Sequence, residues 1–74
     1  MNRQKIVFRQ EKLEGGWLII HALDGNALVG RILKDPRKGA YRFFPGQDNG
    51  LAYQFEHHDL TELKRLIEAA LARP

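Results

Sequence analysis

His57, His58, Asp59 and Thr61 come nearest in this chain to a catalytic or metal-binding arrangement. Adjacent side chains on an extended segment face opposite ways, so two consecutive histidines are a poor pair of ligands for one metal ion. His58 beside Asp59 could orient an imidazole, but the chain contains no serine and Thr61 is its only threonine. Thr61 reads as a first-turn or capping residue rather than a nucleophile. The absence of cysteine excludes disulfides, thiolate catalysis and cysteine-ligated zinc or iron–sulfur sites, and it fits a cytoplasmic protein. Asp24, Asp35 and Asp48 each fall in a turn, where a side-chain-to-backbone hydrogen bond accounts for them. No glycine pattern follows a strand and opens a helix, so dinucleotide and phosphate-loop readings lack support. The expectation is a protein that is not an enzyme, with no catalytic, cofactor-binding or metal-ligating residue to assign.

A second set of residues suggests binding. Arg9, Trp17, His21, Arg31, Arg37, Lys38, Arg42 and Phe44 mix cationic with aromatic groups. That mixture could hold a phosphate backbone and stack a base, with the Arg37-Lys38 loop reaching a phosphate beyond the sheet rim. The same groups could equally form a protein-binding surface, a small second core or a homodimer contact. Twelve Lys and Arg against nine Asp and Glu give a formal charge of +3. So small an excess suits an acidic partner and ordinary solubility alike.

These side chains need elements to position them. Residues 59–72, DLTELKRLIEAALA, carry Leu60, Leu63, Leu66, Ile67 and Leu71 at helical spacing. Asp59 suits the N-cap, with Glu62 placed to reach back to the cap's own N–H, and Thr61 is a rival cap. Such a short helix needs tertiary packing to persist. Everything before it reads as strands near 5–9, 17–22, 27–34, 40–44 and 51–56. The polar start, Met1 to Gln4, reads as frayed. The charged run ending in Gly15-Gly16 should stop the first strand. Asp24-Gly25 marks a tight hairpin turn, Asp35 to Gly39 a second, and Asn49-Gly50 a third. Gly30, inside the third strand, marks a bulge or a place where the covering helix comes close.

The 74 residues, 43% of them hydrophobic, therefore read as one small α+β domain spanning 1–74. The expected fold is a four- to five-stranded antiparallel meander with one face packed against a single C-terminal helix. Period two assigns Ile6, Phe8, Leu18, Ile20, Leu28, Ile32, Tyr41, Phe43, Leu51, Tyr53 and Phe55 to the helix side. Lys5, Arg9, Trp17, Ile19, His21, Val29, Arg31, Arg42, Phe44, Gln54 and Glu56 fall on the other face. A bulge would transfer part of either set. The longest apolar run, Trp17 to Ile20, is too short to span a bilayer, and no signal-like segment opens the chain, so no membrane is expected. The expected role is a non-enzymatic protein-interaction or structural module, with nucleic-acid binding through the basic, aromatic sheet face as the alternative.

Overall fold

A computed structural model describes residues 5–47 and 51–72. Five antiparallel strands lie in sequence order: β1 (Ile6–Lys12), β2 (Leu18–Asp24), β3 (Ala27–Lys34), β4 (Tyr41–Pro45) and β5 (Phe55–His57). One helix, α1 (Leu60–Leu71), follows and covers one side of the sheet. The expected meander-plus-helix architecture is the one observed. The Asn49-Gly50 turn and the amino-terminal four residues lie outside the described residues.

The turns explain the connectivity. Gly25 has φ 65° and Asn26 an ordinary negative φ, the pattern of a type II′ hairpin turn between paired Asp24 and Ala27. In the next turn the Lys38 N–H donates to the Asp35 carbonyl at 3.0 Å, Pro36 takes the first central position and Gly39 leaves with φ 68°. The charged run after Arg9 does not end β1, as the sequence suggested. The strand continues to Lys12, because Gln10, Glu11 and Lys12 still find backbone partners in Ile20, Ile19 and Leu18. At an edge, polar side chains cost such pairing little.

The core lies between sheet and helix. Ile6, Ile20, Ala22, Ile32, Phe43, Leu63 and Ile67 are buried together, as the helical stripe requires. Cross-strand register organises it into rows. Gln10, Ile20, Ile32, Phe43 and Phe55 lie side by side, and next to them run Phe8, Ala22, Gly30 and Pro45. Small residues in the second row leave a depression. The Phe43 ring fills it, so that a Cβ on Gly30 would stand only 2.5 Å from Phe43 Cε1. Gly30 thus admits an aromatic ring where a helix was one expected visitor.

A bulge stands beside this contact. Ala22 pairs with Gly30 but Leu23 with Leu28, which leaves Val29 as the extra residue. Two of the expected face assignments exchange in consequence: Leu28 joins Leu23 on the helix-free face, whereas Val29 packs on the core.

The largest departure concerns 51–56. Only Phe55–His57 pairs with β4; Leu51 is 96% exposed and Tyr53 turns to the helix-free side. Extending β5 backwards would need ladder partners beyond Phe44. Pro45 there has no N–H, and Gly46, at φ 94°, donates instead to the Val29 carbonyl. The alternation of 51–56 therefore has no strand to run along beyond Gln54, whose N–H reaches the Phe43 carbonyl.

At the helix start Asp59 is the cap, accepting from the Thr61 N–H at 2.9 Å. The expected return bond from Glu62 is absent: the Asp59 N–H donates to His57 Nδ1, and Glu62 pairs with Arg65. Removing the buried side chain in Ile67→Ala should cost about 2–5 kcal/mol. Gly30→Ala should cost about 1–3 kcal/mol by displacing the Phe43 ring. Chemical denaturation of both variants checks these values, and an unchanged midpoint in either contradicts the packing described.

Candidate functional site

The sheet face away from α1 gathers most of the residues singled out above. Arg9 pairs in register with His21, His21 with Arg31, and Arg31 with Phe44, so these four form one transverse row over four strands. The next row holds Glu11, Ile19, Leu33, Arg42 and Glu56. On the other flank lie Val7, Leu23 and Leu28. A cationic stripe therefore runs between two rows containing aliphatic side chains.

Much of that stripe is already committed within the fold. Arg31 Nη2 donates to the Gln47 carbonyl at 2.6 Å, tying down the chain just after β4. Its Nε is buried with no hydrogen-bond partner among the described residues. Arg42 Nε donates to Glu56 at 2.7 Å, and its guanidinium lies over the Tyr53 ring at 4.7 Å. The hydrogen bond to Glu56, with the carboxylate charge behind it, holds Arg42 still more firmly protonated than usual. Phe44 is only 7% exposed, because Tyr53 meets it edge-on with ring centroids 6.1 Å apart. The ring is a small second core, one of the outcomes the sequence allowed, and is not presented flat for stacking. Arg9 is exposed and His21 half-buried.

Trp17 and Lys38 sit at the end of this face near the β1–β2 and β3–β4 loops. Gly15 and Gly16, at φ 77° and 85°, curl the first loop through a 3-10 turn, closed by the Leu13 N–H on the Trp17 carbonyl. Gly16 lies close against Pro36 of the second loop, where an added Cβ would meet the proline ring at 3.1 Å. The first loop sets Trp17 beside Leu33 of β3 and Phe44 of β4, around a cavity of about 210 Å³. Asp35, Lys38 and Arg42 supply its polar lining. Trp17 remains 37% exposed. On its other side the ring borders a wider hollow of about 440 Å³, shared with Leu13, Leu18 and Pro36.

Asp35 shapes the rim. Its carboxylate accepts the Arg37 N–H at 2.9 Å and lies 3.4 Å from Arg37 Nε, which holds the acid below its usual 3.8. The backbone bond is the chief cause and the guanidinium adds to it, against a partial desolvation. Arg37 itself points outward, its side chain 82% exposed, and does not join the cavity. Leu33, Asp35, Tyr53 and Glu56 are the participants missing from the sequence-derived set. Glu56 was within reach of sequence reasoning, since period two sets it on the same face as Arg42. Tyr53 was not, because the alternating run around it implied the helix side.

Among the described residues no cluster of three or more His, Cys, Asp or Glu is arranged to hold a metal ion, and no helix is long and apolar enough to cross a membrane. His57 Nδ1 is occupied by the Asp59 N–H, and His58 Nδ1 lies 3.3 Å from the Gly39 carbonyl. Both imidazoles thus lie against backbone groups, His57 against one two residues away and His58 against the β3–β4 loop. Comparison with family models, with curated proteins and with solved structures finds no match for this chain.

The depressed Asp35 acid has a pH signature. A carboxyl whose folded pKa lies below its unfolded value contributes stability above the unfolded pKa and loses it as pH falls through the folded one. Asp35→Asn keeps an acceptor for the Arg37 N–H and removes only the charge. This variant should therefore melt below the wild type at neutral pH and converge with it in acid below the ordinary value of 3.8. Thermal melts across that range test the assignment; a constant offset at every pH contradicts it.

Proposed function

We propose that this chain is a non-enzymatic binding module that receives one apolar side chain of a protein partner between Trp17, Leu33 and Phe44. The cavity carries this reading. Its volume of about 210 Å³ falls below the roughly 300–1,000 Å³ of small-molecule sites and suits a single anchoring side chain. Trp17, 37% exposed beside the hollow, is of a residue type enriched at the centre of protein contacts. Lys38, on the polar side of the cavity, provides for a carboxylate next to the anchor. Arg42 does so less readily, because Glu56 already neutralises it.

A second reading rests on a different observation, the in-register row of Arg9, His21 and Arg31. A phosphate backbone lying across the strands would follow that row, and neutralised phosphates would make binding strongly salt-dependent. Base stacking contributes little to this reading, since Phe44 is covered by Tyr53. The protein-binding reading is the better supported of the two.

Panning random peptides against the 74-residue chain, with counter-selection on Lys38→Glu, tests the first reading. Enriched peptides should pair a large apolar residue with a neighbouring Asp or Glu and change Trp17 fluorescence. They should bind Lys38→Glu about tenfold more weakly, the scale of one charge-assisted contact. Peptides that ignore both Trp17 and Lys38 defeat the proposal. Fluorescence anisotropy with single-stranded and duplex DNA and RNA at low salt addresses the second reading. Saturable binding that falls with salt and is lost in Arg9→Glu would replace the protein partner with a nucleic acid.

A further inference from the structure

The two edges of the sheet differ. β5 is three residues long and α1 packs beside it, whereas β1 offers seven residues, IVFRQEK, paired with β2 on one side only. An open edge presents unpaired N–H and C=O groups to any extended chain. β1 contains neither proline nor glycine, and Val7 upon it is 47% exposed. Its charges are Arg9, Glu11 and Lys12.

We propose that two copies of this chain pair antiparallel through β1 about a two-fold axis at Gln10, with Arg9 of each copy opposite Glu11 of the other. Directly opposed residues of an antiparallel pair share a face. Arg9 and Glu11 both lie on the helix-free face, since their β2 partners are His21 and Ile19. Neither takes part in the ion pairs found among the described residues of its own chain. A two-fold at Gln10 forms the Arg9–Glu11 pair twice and sets Phe8 opposite Lys12 on the other face.

The neighbouring registers are poorer. A two-fold at Arg9 opposes two guanidinium groups directly, which is destabilising. A two-fold at Phe8 sets Glu11 opposite Lys5, which lies just before the strand, and faces Arg9 with Val7, so the guanidinium inside the strand gains no carboxylate. Charge complementarity therefore points to a second copy as the occupant, and the Gln10 register is the one that pairs Arg9 with Glu11, both within the strand. The contact is isologous, as closed dimers are. It buries little surface, so the dimer is a weak one. The inference is independent of the Trp17 cavity. In the paired state a carboxylate neutralises Arg9, which deprives the phosphate reading of one of its cations.

Sedimentation equilibrium at concentrations up to about 1 mM, the weak end of the affinity scale, should show dimer; a chain wholly monomeric there overturns the proposal. Arg9→Glu and Glu11→Arg should each weaken the dimer about tenfold, because symmetry turns two attractive pairs repulsive. Combining the two reversals should restore the affinity to within about threefold of the wild type. The chain has no cysteine, so Gln10→Cys reports the register cleanly. Oxidised Gln10→Cys should form a disulfide-linked dimer, because opposed residues lie within disulfide range. Glu68→Cys, on the exposed side of α1, should not. All four positions are exposed, and circular dichroism should match the wild type in every variant. A dimer indifferent to both charge reversals, or a Gln10→Cys chain that stays monomeric on oxidation, overturns the β1 interface.

Discussion

The Phe43 ring lies where a side chain on Gly30 would otherwise stand, and the helix side of the molecule depends on that contact. Phe43 is paired with Ile32 on one side and Phe55 on the other, so its position couples the three last strands. Leu63 and Ile67 are buried in the same cluster, and both are fully inaccessible to solvent. A ring lifted out of the Gly30 depression would push against the helix, since a close-packed interior has nowhere to absorb the volume. In a chain of 74 residues the total core is small, and one misplaced aromatic group is a large fraction of it.

The bulge at Val29 propagates this arrangement to the other face. The Val29 carbonyl receives the Gly46 N–H, which turns the chain away from β4 immediately after Pro45. Arg31 then holds the departing segment through Gln47, and Tyr53 returns to cover Phe44. Arg42 spans the closure by meeting both Tyr53 and Glu56. Half-exposed ion pairs of this kind are individually worth little, at most about 1 kcal/mol. Their part here is to orient side chains around Phe44, with apolar contact supplying the stability.

The features behind the proposed contacts are thereby divided among three places. The Trp17 cavity arises where two glycine-containing loops meet. The in-register row of Arg9, His21 and Arg31 crosses the middle of the sheet. Among the described residues the longer free edge belongs to β1, because β5 is short and flanked by α1. A side-chain pocket and a strand edge ask for different partners, the first for an anchoring residue and the second for an extended backbone.

Local pattern alone determined the helix, the paired turns at Gly25 and Pro36, and the core faces of Ile20, Ile32 and Phe43, while the choice of Asp59 over Thr61 as cap came with the structure. Each rests on a short-range rule: 3.6-residue periodicity, the conformational freedom of glycine, or alternation along a strand. The grouping of Arg9, His21, Arg31 and Phe44 on one face followed from the same alternation, but their alignment in one row needed the strand register. Tertiary structure alone decided the exchange of Leu28 and Val29, the burial of Phe44 and the course of 51–54. The run Leu51-Ala52-Tyr53-Gln54-Phe55 alternates as a strand should, yet a strand exists only where a neighbour offers backbone partners. Pro45 and Gly46 remove those partners some six residues earlier in the chain. No property of residues 51–54 themselves records that loss, because hydrogen bonding in a sheet is a relation between segments.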